Sequence, residues 1–154
     1  TVVPLSVFAK LEPRLKRGNI ERLDGQYDPY IAHRLAGGHN VSASEYIDMI
    51  TTRKQMWAEV QAITRRFDAL ILPTTPTLPP ALAMLDSIDA KTKINARCLR
   101  NTSLSNYLDR PTITLPCHTL GNAPVGLSLI GSRQHDRRLL GIAAGIEAAL
   151  SAVR

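Results

Sequence analysis

Between Ser42 and Asp68 the apolar residues Tyr46, Met49, Ile50, Met56, Trp57, Val60, Ile63 and Phe67 recur at steps of three and four, with neither Gly nor Pro to interrupt them. That period gathers them on one broad face, so the pattern predicts an amphipathic helix, the longest of the chain. Ser42 followed by Glu45 is a capping box, in which hydroxyl and carboxylate each take a backbone N–H that the first turn leaves orphaned. Met and aromatic residues at this spacing read as core packing rather than a ligand box, and Arg53 at the edge of the face reads as a snorkelling side chain. A shorter helix is expected over residues 29–36, where Asp28 can cap, Pro29 suits the first helical position and Gly37-Gly38 supplies a stop. From Ser87 to about Asn106 a further helix is expected, with Ile88, Ile94, Cys98 and Leu99 inside and Lys91, Lys93 and Arg97 outside. A final helix capped by Asp136 carries the stripe Leu139, Ile142, Ala143, Ile146, Leu150 and Val153. Gly141 and Gly145 in it suggest close packing on a sheet.

Three runs read as strands. Residues 69–72 are apolar without alternation, as expected of a strand covered on both faces. Pro73, Pro76, Pro79 and Pro80 then make a stiff loop. Ligands in open α/β sheets lie beyond the carboxyl ends of such strands, so this loop is either the rim of a substrate pocket or a plain connector. Thr112 to Leu115 alternate polar and apolar with β-branched residues, ending at Pro116, and Val125, Leu127, Leu129 and Ile130 form a second run. Gly121-Asn122-Ala123-Pro124 between them has hairpin-turn chemistry, so the two runs should be antiparallel neighbours. The fold class is α/β, helices packed on an incomplete mixed sheet. Residues 1–27 are least legible, an apolar cluster (Val2, Val3, Leu5, Val7, Phe8, Leu11, Leu15) that reads as a strand passing into a helix broken near Pro13.

Composition narrows the function. With 154 residues the chain is one domain by size, and 44% hydrophobic with 21% charged residues describe a globular protein. No apolar run approaches the ~20 residues that cross a bilayer. Cys98 and Cys117 lack C-x-x-C spacing, so neither zinc nor a disulfide framework is indicated, and a reducing cytoplasm fits best. His33, His39, His118 and His135 have no metal-binding spacing. The net charge is +6, but basic residues are scattered in pairs such as Arg65-Arg66 and Arg137-Arg138, and aromatics are only 5%. That argues for a solvated basic surface, or one facing a missing acidic half, against nucleic acid.

Residues 100–131, RNTSLSNYLDRPTITLPCHTLGNAPVGLSLIG, carry more than periodicity. Arg100, Thr102, Asn106, Pro111, Leu115, Pro116, Cys117, Pro124, Val125, Gly126, Leu127, Leu129, Ile130 and Gly131, then Asp136, Leu139 and Leu140, fall in the order and spacing of the C-terminal part of amidase signature enzymes. Residues 67–80, FDALILPTTPTLPP, resemble a further segment of that family. The likeness covers residues 28–150, with 1–27 poorly matched, and implies that residues 1–154 are the C-terminal portion of an amidase domain. In the family, a nucleophilic serine, a cis-linked second serine and a lysine lie in a Gly- and Ser-rich signature. No such stretch occurs here, and Lys10, Lys16, Lys54, Lys91 and Lys93 have no Gly/Ser-rich context.

The resemblance therefore implies a fragment of a serine amidase that needs no metal or cofactor, is inactive alone, and contributes pocket walls. Arg100, Thr102, Asn106 and Thr74 are the substrate-binding candidates. An open sheet edge implies association with the N-terminal half or self-association. Two other readings stay open, a non-catalytic interaction module and a fragment of the A subunit of a glutamyl-tRNA amidotransferase. Leu99, standing where that amidotransferase would carry an acidic residue, favours the plain amidase. Residues 126–131, GLSLIG, are one residue too long for the hydrolase elbow G-x-S-x-G, and Ser128 reads as a strand hydroxyl where the family often has Gln. His118 replaces a family Gly, and Asp109 and Arg110 replace small residues before Pro111, which raises the question of a positive φ at these positions.

Overall fold

The computed structural model describes residues 28–36, 40–119 and 121–153. The apolar cluster expected within residues 1–27, the Gly37-Gly38 stop and the Val153 side chain lie outside the described residues. Two compact units divide the chain, Thr1–Gln55 and Met56–Arg154.

In the first unit, α1 (Pro29–Ala36) begins where expected, with Asp28 Oδ1 accepting the Tyr30 N–H at 2.9 Å. The capping box opens α2 (Ala43–Thr64), whose last residues belong to the second unit. Ser42 N–H donates to Glu45 Oε2 at 2.8 Å, and Glu45 N–H to Ser42 Oγ at 3.2 Å. Tyr46, Met49, Ile50, Arg53, Met56, Trp57 and Val60 form the half-buried face of α2. The helix stops at Thr64, four residues before Asp68, because the chain must turn into a strand at Leu70. Phe67 N–H bonds the Thr64 carbonyl at 3.0 Å in that turn, so Phe67 leaves the expected face and is 49% exposed, while Ile63, still helical, is 65% exposed.

The second unit is built on three antiparallel strands in the order β1 (Leu70–Pro73), β3 (Gly126–Ile130), β2 (Thr112–Pro116). The β2 and β3 hairpin is as expected, Thr114 opposite Ser128 and Leu115 opposite Leu127. Gly121 supplies a φ of +90° in its connection, which only glycine adopts freely. The strand expected to be covered on both faces is instead an edge: among the described residues β1 pairs with β3 alone, and Ile71 is 58% exposed.

One sheet face carries Ile113, Leu115 and Leu129, and against it packs α5 (Asp136–Val153) through Leu139, Ala143, Ile146 and Leu150. The helix begins at its predicted cap rather than one residue after it. Leu139 N–H bonds the His135 carbonyl at 3.0 Å, so Asp136 is the first helical residue. Gly141 and Gly145 do not pack on the sheet, since a Cβ at either would meet nothing within 4 Å. At 3.6 residues per turn, positions two beyond Leu139 and Ala143 point away from the packed stripe.

The helix expected from Ser87 to about Asn106 is two helices. Ser87 Oγ caps α3 (Ile88–Leu99) from the Ala90 N–H at 3.2 Å, and α4 (Thr102–Leu108) follows after a break at Arg100 and Asn101. Ile94 and Cys98 are half-buried with Lys91 beside them, while Ile88 and Leu99 are exposed. Leu108, Leu129 and Ile130 are the fully buried large side chains of the described residues.

Candidate functional site

The carboxyl end of β1 is where polar groups converge. Thr74 N–H bonds the Gly126 carbonyl at 2.8 Å, which prolongs the β1 and β3 pairing by one residue and aims the Thr74 side chain at the sheet face opposite α5. There Thr74 Oγ1 lies 2.8 Å from Ser128 Oγ and 3.3 Å from Thr114 Oγ1, and Thr114 Oγ1 lies 3.0 Å from Ser128 Oγ. The three hydroxyls close a triangle over a central strand, with Ser128 buried. Gly126 admits this approach: a Cβ there would sit 2.7 Å from both Thr114 Cγ2 and Thr74 Oγ1.

Beside the triangle, Asn101 Nδ2 donates to the Pro73 carbonyl at 2.7 Å while Asn101 Oδ1 accepts from Arg100 Nε at 3.4 Å. The exposed guanidinium of Arg100 is thereby linked to the residue before Thr74. Of the four predicted site residues, Arg100 is linked through Asn101 to Pro73, the neighbour of Thr74, and not to Thr74 itself. Thr102 is half-buried at the start of α4, its hydroxyl donating to the Leu99 carbonyl at 3.2 Å, and Asn106 stands exposed one turn further on.

Chemically, this cluster orients and hydrogen-bonds. Among the described residues no His, Lys or carboxylate bonds the triangle, so none of its hydroxyls has the base that a nucleophile requires. Ser128 is a strand hydroxyl, as its sequence context implies. No group of His, Cys, Asp and Glu among the described residues is arranged to hold a metal ion.

Asn101, Thr114 and Gly126 were not legible as site residues. Only the strand register places Thr114 opposite Ser128, and only the break between α3 and α4 turns Asn101 toward β1.

The flanking substitutions resolve differently. Asp109 takes the left-handed conformation (φ 55°) that ends α4, and its carboxylate pairs with Arg133 at 2.9 Å, while the Arg133 guanidinium lies 4.9 Å over the Trp57 ring. His118 has no positive φ, and its Nδ1 lies 3.3 Å from the Val125 N–H nitrogen, which donates to it across the hairpin. Arg110 is buried, its Nη2 donating to Thr64 Oγ1 at 2.7 Å and Gln61 Oε1 at 3.4 Å, its Nε without a partner. Burial pushes its guanidinium below the ordinary arginine value.

Comparison with known proteins bears on this arrangement. Residues 14–140 match the family model described as Amidase. The chain is 34% identical over 130 residues to 2-amino-5-chloromuconic acid deaminase of Comamonas testosteroni, covering 84% of this chain and 27% of that protein. To the A subunit of glutamyl-tRNA(Gln) amidotransferase from Sulfolobus acidocaldarius it is 31% identical over 102 residues, covering 66% of this chain and 21% of the relative. A crystal structure of an amidase superposes with a TM-score of 0.77 at 24% identity, over 93% of this chain and 34% of that one. The chain thus spans about a quarter of the length of the curated relatives it matches. With the family model matched over most of its residues and the fold shared, this chain belongs to the amidase family.

Proposed function

We propose that this chain is the C-terminal portion of an amidase that hydrolyses a carboxamide to an acid and ammonia or an amine, and that it forms one wall of the substrate pocket. The observation that carries the reading is the polar junction at the end of β1, where three hydroxyls, Asn101 and Arg100 converge without a base. Such a junction suits holding an amide and its substituents while a serine elsewhere in the protein attacks. Thr74 and Arg100 face that pocket in this reading, with Thr102 and Asn106 further along its rim.

Residues 1–154 contribute to one amidase domain, completed by an N-terminal catalytic half or, failing that, by self-association. Support comes from the sheet, whose outer strands β1 and β2 each pair, among the described residues, with β3 alone, and from Ile71, exposed on β1. Cys98 and Cys117 are free thiols, which suits a reducing cytoplasm, and no helix among the described residues is long and apolar enough to cross a membrane. The amidotransferase reading has less support, because Leu99 at the end of α3 offers no carboxylate for an ammonium group.

The test is ammonia release from a panel of aliphatic and aromatic amides by the chain alone and by the chain mixed with the N-terminal half of an amidase domain. Activity in the mixture only is the expected result. Activity from the chain alone overturns the assignment of its hydroxyls to positioning.

A further inference from the structure

At the other end of β1 lies a groove of about 380 Å³, lined by Gln61, Arg65, Arg66, Ser132, His135 and Arg138 among others. Its volume is within the range of small-molecule sites. Three arginines and one carboxylate, that of Asp68, line the groove, and Asp68 pairs with Arg138. Among the described residues Arg65 and Arg66 have no acidic partner. Arg66 is held by the Phe67 ring, its guanidinium carbon 4.9 Å from the centroid, so less rotamer entropy opposes its use.

A second, independent feature points the same way. Among the described residues Arg110 is buried and bonds only the neutral groups of Thr64 and Gln61; it lies behind the lining, to which Gln61 belongs. A buried cation without a counter-charge is costly, and an anion nearby would lower that cost. His135, the residue before α5, and Arg138 in its first turn also line the groove. Asp136, which begins that helix, is not on the lining.

We infer that this groove binds an oxyanion, the phosphate or carboxylate group of a small ligand, held by the forks of Arg65 and Arg66 and by Arg138. Guanidinium suits such groups because its planar fork makes two parallel hydrogen bonds to one anion. The groove lies at the opposite end of β1 from Thr74, so its occupant is not the amide undergoing hydrolysis. An anion bound there is a second ligand.

The experiment is isothermal titration of the full chain with inorganic phosphate and, separately, malonate, at constant ionic strength set with sodium chloride. Saturable one-site binding by at least one of them is expected, and the stronger of the two names the group. In Arg65→Ala/Arg66→Ala, checked for folding by circular dichroism, affinity should fall by about tenfold or more. Arg66→Lys, which keeps the charge and loses the fork, should fall less, and Arg97→Ala, outside the groove, should bind as the parent does. No saturable heat with either anion, or equal binding by parent and double variant, would overturn the inference.

Discussion

Asn101 Nδ2 donates to the carbonyl oxygen of Pro73 at 2.7 Å, tying the break between α3 and α4 to the carboxyl end of β1 across 28 residues. Arg100 and Asn101 keep helical φ and ψ at that junction, so the side chain reaches β1 from a backbone that is still locally helical. Asn101→Ala leaves the carbonyl without this donor and should lower unfolding free energy by about 1 kcal/mol. Asn101→Asp should be worse, because a carboxylate then faces a carbonyl, two acceptors with no proton between them. Urea denaturation of the three proteins decides it. An aspartate variant as stable as the parent would show that the bond to Pro73 contributes nothing to stability.

Gly126 and Gly141 should respond to alanine with opposite signs. A Cβ at Gly126 would lie 2.7 Å from Thr114 Cγ2 and from Thr74 Oγ1, so Gly126→Ala forces the hydroxyl triangle apart and should cost about 1–3 kcal/mol. At Gly141, exposed in the middle of α5, nothing lies within 4 Å, and Gly141→Ala should stabilise by about 0.5–1 kcal/mol through helix propensity. Thermal melts of the two single variants suffice.

What the sequence disclosed follows from which forces are local. The capping box of Ser42 and Glu45, the Asp28 cap and the hairpin from Thr112 to Ile130 were legible because each is set by residues a few positions apart. The apolar stripe of α5 was legible from its period. The end of α2 at Thr64 was not, since no Gly or Pro marks it and the stop comes from the need to turn into β1. Nor was the exposure of Ile71, because an apolar run reads alike on an edge and in the middle of a sheet. Thr74 and Arg100 were singled out, but the Asn101 that links Arg100 to Pro73, beside Thr74, needed a contact 28 residues away.

Asp109 holds a φ of 55° at the end of α4 and an ion pair with Arg133 whose partners are about half exposed. The two features predict different substitutions. An ion pair so exposed contributes at most about 1 kcal/mol, whereas the left-handed conformation costs an ordinary residue about 1–2 kcal/mol. Asp109→Gly loses the pair and relieves the backbone, so stability should change little. Asp109→Ala loses the pair without relief, and Asp109→Val adds β-branching, so stability should fall in the order Gly, Ala, Val. If the alanine and glycine variants melted together, the backbone conformation would not be what Asp109 is there to satisfy.

The hydroxyl triangle can be weighed by a double-mutant cycle between Thr74 and Ser128, 2.8 Å apart and 54 residues distant in sequence. Thr74→Val keeps the shape and removes the hydroxyl, and Ser128→Ala removes the buried partner of both threonines. Each alone strands a polar group and should cost about 1–3 kcal/mol, while together they strand less, giving a coupling of about 0.5–1.5 kcal/mol. If these hydroxyls also hold substrate, Thr74→Val should lower amide hydrolysis in the completed enzyme under conditions where it remains folded. Ser128→Ala, which perturbs Thr74 from behind, should lower it less. Equal stability loss with unchanged hydrolysis would assign the triangle to architecture alone, and would move the search for substrate contacts to Arg100 and the rim of α4.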